Sequence, residues 1–335
     1  MPKKKLYLVF DCETCTLDFA NALAGSDAEK KKKIAIARPL IYDMGWTICD
    51  RDGNIYDKKQ FLVAETFSVP SVFNTAYYKE KRPLYLEMIQ HNEIQVMPWE
   101  QCITALIEDM SKVESVGAFN SMFDFKKAIP FTELYMKHLY NPDFYAWYEN
   151  QKTLCQNIIE QPYKGKDEEK VFDGAIFNFR SVDYNLFDLW GLSVEHLLNT
   201  RTYKDACIQN NMLTPSGVYF KSSAESTYRY LRKMYAFDEA HTALQDAEIE
   251  TYILSQIAKR HSITNGIAFF PFRKLGTTNE YVLNKKPPRS TECKIVYDAI
   301  ANYLKEKQQT SDFSAYIAKL TEALNDLNEY VKESE

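Results

Sequence analysis

Two acids, Asp11 and Glu13, stand directly after the apolar run Leu-Tyr-Leu-Val-Phe of residues 6–10. On an extended strand, positions two apart share a side, so both carboxylates aim at one point beyond that run. Such a pair repels itself unless a cation neutralises it, and hard divalent cations take oxygen ligands. The same spacing recurs at Asp27 and Glu29, Asp167 and Glu169, and Asp246 and Glu248; only the first pair follows a core-type strand. A second group, Gly117-Ala118-Phe119-Asn120-Ser121-Met122-Phe123-Asp124, reads as a strand running into a helix, with Asn120 and Asp124 on one helical face. Without a ligand, Asn120 is an N-cap there and Asp124 a first-turn acid favoured by the helix dipole. In the third group, Glu239 to Glu248, His241 and Asp246 are five apart. That is about 140° around a helix, so His241 belongs in or before the first turn and Asp246 on the helix itself. Ala240, Ala243 and Ala247 let this helix approach a sheet closely.

The elements that must position these groups follow from the pattern. Residues 6–10, 40–48, 59–63, 113–119 and 185–189 read as strands, and Cys49 to Asn54, with its acids and Gly53, as a hairpin joint. Helical spacing runs over 99–112, 122–140, 193–208, 223–235 and 239–260. Strands alternating with helices predict an α/β fold with helices packed on a sheet. Residues 18–37, with a lysine run at 30–33, and the irregular stretch 141–184 read as insertions.

The whole chain has 335 residues, 45% hydrophobic and 26% charged with only 10 Gly, which excludes collagen-like and wholly disordered classes. Its 41 basic and 46 acidic residues give a net charge of -5, so a protein that coats duplex nucleic acid through a basic excess is excluded and any nucleic-acid contact must be local or metal-mediated. No stretch approaches the roughly 20 apolar residues of a membrane span. Seven Cys, mostly single in apolar contexts, fit buried reduced thiols and a cytoplasmic location. Cys12 and Cys15 spell C-x-x-C, but no second ligand pair or helix start accompanies them.

In chain order, Phe10-Asp11-Cys12-Glu13-Thr14, Ala118-Phe119-Asn120 through Phe125, and Ala240-His241 through Glu248 resemble the three motifs of the DnaQ-like exonucleases, the DEDDh group. The resemblance covers roughly residues 6–260 and implies a ribonuclease H-like mixed five-stranded sheet flanked by helices, with 40–63 as its second and third strands. It implies that Asp11, Glu13, Asp124 and Asp246 hold two divalent cations, Mg²⁺ or Mn²⁺, and that His241 is the general base. The activity implied is 3′ to 5′ hydrolysis of single-stranded DNA or RNA ends, releasing nucleoside 5′-monophosphates. A catalytically silent nucleic-acid-binding or regulatory module on the same fold is the alternative.

Thr14 and Leu17 match family positions against the terminal nucleotide, although Thr16 replaces the usual Gly before the latter. Phe119 stands where the family often has His and is a candidate stacking ring, or a buried strand-end aromatic; Asn120 joins the substrate-side set. Asp188, at the end of the last strand, has no assigned role. The chain thus divides into an exonuclease domain, 1–262, and a basic loop with a helical extension, 263–335. Residues 265–294 carry six basic side chains against two acids, and Lys285, Lys286 and Arg289 are candidates for holding the backbone. Phe313, Ile317, Leu320, Leu324, Leu327 and Val331 form a heptad-like seam that packs on the parent domain or against a second copy as a homodimer contact.

Overall fold

The computed structural model describes residues 5–15, 39–139, 172–173, 176–268, 270–284 and 302. Strand β1, Leu6–Cys15, shows how the sheet is buried: Leu8, Phe10 and Cys12 enter one core and Tyr7 and Val9 another. Period-two alternation with apolar residues at every position requires cover on both faces. Next to β1 run β2, Leu40–Asp50, buried along its whole length, and β3, Ile55–Val63. The remaining strands are β4, Gln95–Met97; β5, Ser115–Ala118; β6, Phe172–Asp173; β7, Ile176–Phe179; β8, Val182–Asp188; and β9, Gly266–Ile267.

Seven of these form one mixed sheet in the order β4-β3-β2-β1-β5-β8-β7, and β6 pairs with β9. β1 is antiparallel to β2 and parallel to β5, and β5 is parallel to β8. The five expected strands are all present, but the sheet is larger than five. β4 has three residues. β7 joins β8 through Arg180 and Ser181, with φ 48° and 67°, a two-residue turn of the kind usually made by Asn-Gly. Without that signal the sequence reads 141–184 as an irregular insertion, yet 176–179 is an edge of the main sheet.

The main helices are α1, Arg82–Gln90; α2, Trp99–Met110; α3, Ile129–His138; α4, Arg201–Gln209; α5, Ala224–Arg232; α6, Ala243–Ala258; and α7, Thr278–Asn284. Trp99, Cys102, Ile103 and Leu106 of α2 fill the core with Leu8 and Phe10, whereas Ile253, Leu254 and Ile257 of α6 fill the one with Tyr7 and Val9. The helix expected over 122–140 is interrupted. A turn at Ser121–Phe123 leads into a π-helical turn, Asp124–Ala128, in which Ile129 N–H reaches the Asp124 carbonyl. Pro130 has no N–H to return to the preceding turn, a recognised cause of such breaks. The helix expected over 193–208 is also split, because Thr200 caps α4 by accepting from Tyr203 N–H.

The chain forms two compact units, Met1–Leu198 with Ser222–Pro271, and Asn199–Lys221 with Phe272–Glu335. The second therefore takes in 199–221, where the sequence suggested a single boundary at 262. Within it, Tyr281 Oη donates to Asp205 Oδ1 at 2.9 Å, tying α7 to α4. No helix among the described residues is long and apolar enough to cross a membrane. The insertion at 18–37, residues 141–171, Leu17, Lys285, Lys286, Arg289 and the seam at 313–331 lie outside the described residues.

Candidate active site

Alternation along β1 puts Asp11 and Glu13 on the side of Tyr7 and Val9, the side that α6 covers. In the β1–β2 register Asp11 lies opposite Gly45, and Glu13 opposite Asp43. A Cβ on Gly45 would run into the backbone of Ala243 and Leu244, so the first turn of α6 rests directly on β2. Of the three small residues expected to let the helix approach, Ala243 and Ala247 are fully buried in that contact, whereas Ala240 is exposed and precedes the helix. Asp43 fastens it: the buried carboxylate accepts Ala243 N–H at 3.0 Å, Tyr85 Oη at 2.8 Å and Gln60 Nε2 at 2.9 Å. These bonds limit the rise that burial imposes on Asp43, to about 6. An acid from a neighbouring strand thus satisfies the helix N-terminus, while Thr242, at the cap position, makes no side-chain cap bond.

His241 lies just before α6, at φ 52°, and Asp246 in the first turn, the arrangement their spacing predicted. The loop that carries His241 is held from two sides. Arg229 of α5 donates to Phe237 O at 2.5 Å and to Glu225 Oε1 at 2.9 Å, and Lys81 Nζ donates to Ala240 O. His241 Nδ1 is 3.7 Å from Glu239 Oε2 and 3.9 Å from Asp246 Oδ2. Glu13, His241 and Asp246 each place one ligand atom within 4.8 Å of the others, so these three could bracket a single cation.

Asp11 and Asp124 lie outside that tight set. Phe125 and Ala128, which follow Asp124 in the π turn, pack in the same core as Cys12, on the other side of β1 from Asp11 and Glu13. Asp124 is accordingly buried with its Oδ1 accepting from Cys12 Sγ at 3.1 Å. Its charge still reaches Asp11, whose carboxyl is pushed well above the ordinary range by burial and by Glu250, Asp246, Asp124 and Glu13. Glu13 rises to about 9, mainly through burial and the Asp246 charge. Burial and Glu239 raise Asp246 to about 8, and burial raises Asp124 to about 7. His241 is lowered by burial and by Lys81, which keeps the imidazole neutral near pH 7. Asp246 Oδ1 is buried without any hydrogen-bond partner.

The other sequence candidates fall into place individually. Thr14 is the next-to-last residue of β1, half-buried after a register shift in the β1–β2 pairing. Asn120 is exposed and sits at the cap position of the Ser121–Phe123 turn without making a cap bond, so neither its side chain nor a capping role is used internally. Phe119 is not a stacking platform: its ring is buried with Tyr7, Val9, Phe187 and Leu189 because β5 ends inside the core. Asp188 is structural, accepting Trp190 N–H at 3.2 Å and Ala268 N–H at 2.9 Å. Cys12 and Cys15 have separate partners, Asp124 Oδ1 and Leu40 O, and form no joint site.

Three acids were missed. Glu250 is 2% exposed, accepts Phe119 N–H at 3.1 Å and is raised well above its ordinary value by burial and by Asp124 and Asp246. Its signal was available: Ala243, Ala247, Glu250, Leu254 and Ile257 recur at spacing four, three, four, three, which puts an acid on the apolar stripe of α6. Glu239, raised to about 7 by burial and by Glu225, lay within the third motif group but at no motif position. Asp43 had no local signal. Set against known protein families, curated proteins and solved structures, the chain matches none of them.

Proposed function

We propose that this chain is a metal-dependent 3′ to 5′ exonuclease acting on single-stranded DNA or RNA ends and releasing nucleoside 5′-monophosphates. The observation that carries the reading is Asp246 Oδ1, a buried carboxylate oxygen with no partner, set beside Glu13 and a neutral His241. A buried acceptor left unpaired is unfavourable, and an oxygen-rich set whose acids are all pushed upward suits a hard divalent cation. In this reading Asp11, Glu13, Asp124 and Asp246 hold two Mg²⁺ or Mn²⁺ ions. When bound, such a pair lowers the pKa of water and stabilises the departing 3′ oxygen during in-line attack. His241 accepts the proton of the attacking water, a task that suits an imidazole unprotonated at neutral pH. Asn120 and Thr14 are available to the terminal nucleotide. The contiguous block β3-β2-β1-β5-β8 supports a ribonuclease H-like core within the larger sheet. Five buried free cysteines among the described residues support a cytoplasmic location.

One observation favours the silent binding module instead: Asp124 Oδ1 is engaged by Cys12, and Asp11 and Asp124 stand outside the ligand-sized group. A single assay separates the two. End-labelled DNA and RNA single strands are incubated with Mg²⁺ or Mn²⁺, with and without chelator, using the wild type and Asp11→Ala. The nuclease reading expects chelator-sensitive shortening from the 3′ end that Asp11→Ala loses. A mobility shift without shortening would establish the binding module.

A further inference from the structure

Tyr78 belongs to none of the three motif groups. It follows the short helix Pro70–Phe73 and precedes the 3-10 turn Lys79–Lys81. Its ring lies flat on the His241 imidazole, with centroids 4.3 Å apart and planes within 14°. The same turn supplies Lys81, which bonds to the carbonyl of Ala240 and stands 5.1 Å from the centre of the Tyr78 ring. One short segment therefore grips both the backbone before His241 and the face of its side chain.

The imidazole needs such a grip. His241 sits on a loop with a left-handed backbone conformation, outside any helix that would restrict its rotamers. The carboxylates near its Nδ1, Glu239 at 3.7 Å and Asp246 at 3.9 Å, are beyond hydrogen-bond range, so they do not fix its plane. A stacked aromatic does fix the plane, and it leaves both ring nitrogens free at the edge.

We propose that Tyr78 is a positioning residue for His241, setting the imidazole plane so that its edge faces the Glu13 and Asp246 carboxylates. This role rests on the nuclease reading above. The contribution comes from the ring face and not from the phenolic hydroxyl, so Tyr78→Phe and Tyr78→Leu should part company. Tyr78→Leu is expected to lower kcat about 10-fold to 100-fold, the cost of a misplaced catalytic group, with KM within about twofold of wild type. Tyr78→Phe is expected to restore kcat to within about threefold of wild type, since the stacked ring is kept.

A second measurement is independent of turnover. In proton spectra of the full chain, the His241 ring signals, assigned by their loss in His241→Asn, should lie upfield in the wild type and Tyr78→Phe. They should move downfield in Tyr78→Leu, where the shielding ring is gone. Wild-type kcat in Tyr78→Leu, a change confined to KM, or His241 signals that do not move would each overturn the role. A wild-type chain that shortens no strand with either metal would instead sink the nuclease reading and this role with it. That result is told apart because the wild type itself is inactive.

Discussion

Two sets of buried acids in this molecule behave in opposite ways. Asp109, at the end of α2, has a fully buried side chain, yet its carboxyl is held below the usual range. Burial pulls it up, but Lys112 at 2.5 Å, Lys59 at 2.6 Å and Trp46 Nε1 at 2.9 Å outweigh that pull. Glu133 on α3 is treated the same way, by Arg180 at 3.0 Å, Trp99 Nε1 at 2.7 Å and Lys137 at 3.2 Å. Half-buried Asp11 and buried Glu13, Asp246 and Glu250 stand with one another and are all pushed upward. Burial raises both sets; a basic side chain bonded directly to the carboxylate is what differs, since Lys81 bonds to Ala240 O and acts on Glu13 and Asp246 only through its charge. The fold closes its own ion pairs at Asp109 and Glu133, whereas among the described residues no Lys or Arg forms an ion pair with Asp11, Glu13, Asp246 or Glu250.

The sharpest way to break this contrast is to neutralise one member of each set. Asp246→Asn is expected to reduce strand degradation by at least about 10³-fold while leaving the denaturant midpoint equal to or above wild type, since it removes an uncompensated acid. Asp109→Ala should do the reverse, costing about 3 kcal/mol in denaturant unfolding by stranding Lys59 and Trp46, with the rate per folded molecule retained. Equal destabilisation in both would erase the distinction.

Glu250 tests the contrast from inside the cluster. Glu250→Leu removes the acceptor of Phe119 N–H and should cost roughly 1–3 kcal/mol, whereas Glu250→Gln keeps an acceptor and should stay within about 1 kcal/mol of wild type. Chemical denaturation of the two side by side decides it; equal losses would mean that the bond to Phe119 is not what Glu250 contributes.

The pH dependence of the metal-free chain bears on the same contrast. Glu13 and Asp246, at about 9 and about 8, hold protons in the folded state that the unfolded state releases near pH 4. Their contribution is thus fully present below about pH 4 and is lost as pH rises through about 8 to 9. Thermal midpoints in chelator should fall between pH 6 and pH 9, and added Mg²⁺ or Mn²⁺ should raise them by a few degrees more at pH 9 than at pH 6. A metal effect independent of pH would argue against ligation by these carboxylates.

What was legible in the sequence divides along the same physical lines. Strands covered on both faces announce themselves as apolar runs, so β1, β2 and β5 were found, and β3 and β8 showed through the buried apolar ends Leu62–Val63 and Leu186–Phe187. β4 is too short to show a period, and β7 hides behind an Arg180–Ser181 turn that glycine or asparagine would have advertised. Asp11, Glu13, Asp124, His241 and Asp246 could be singled out because they follow an apolar run or stand near a helix start in three groups that occur in chain order, although β1 continues past both of its acids to Cys15. Glu250 was overlooked because an acid four residues after another on a helix reads as a solvated pair until the apolar stripe is traced through it. Tyr78 meets His241 only by tertiary contact, at a sequence distance that no local pattern spans.

The absent side chain at residue 45 acts as a depth gauge for the acid cluster. With nothing but hydrogen between β2 and the backbone at 243–244, the helix settles as low as chain geometry permits. A single methyl there would lift α6 and carry Asp246 and Glu250 away from Asp11 and Glu13. The spacing of these four acids would then be lost through a position that bears no functional group.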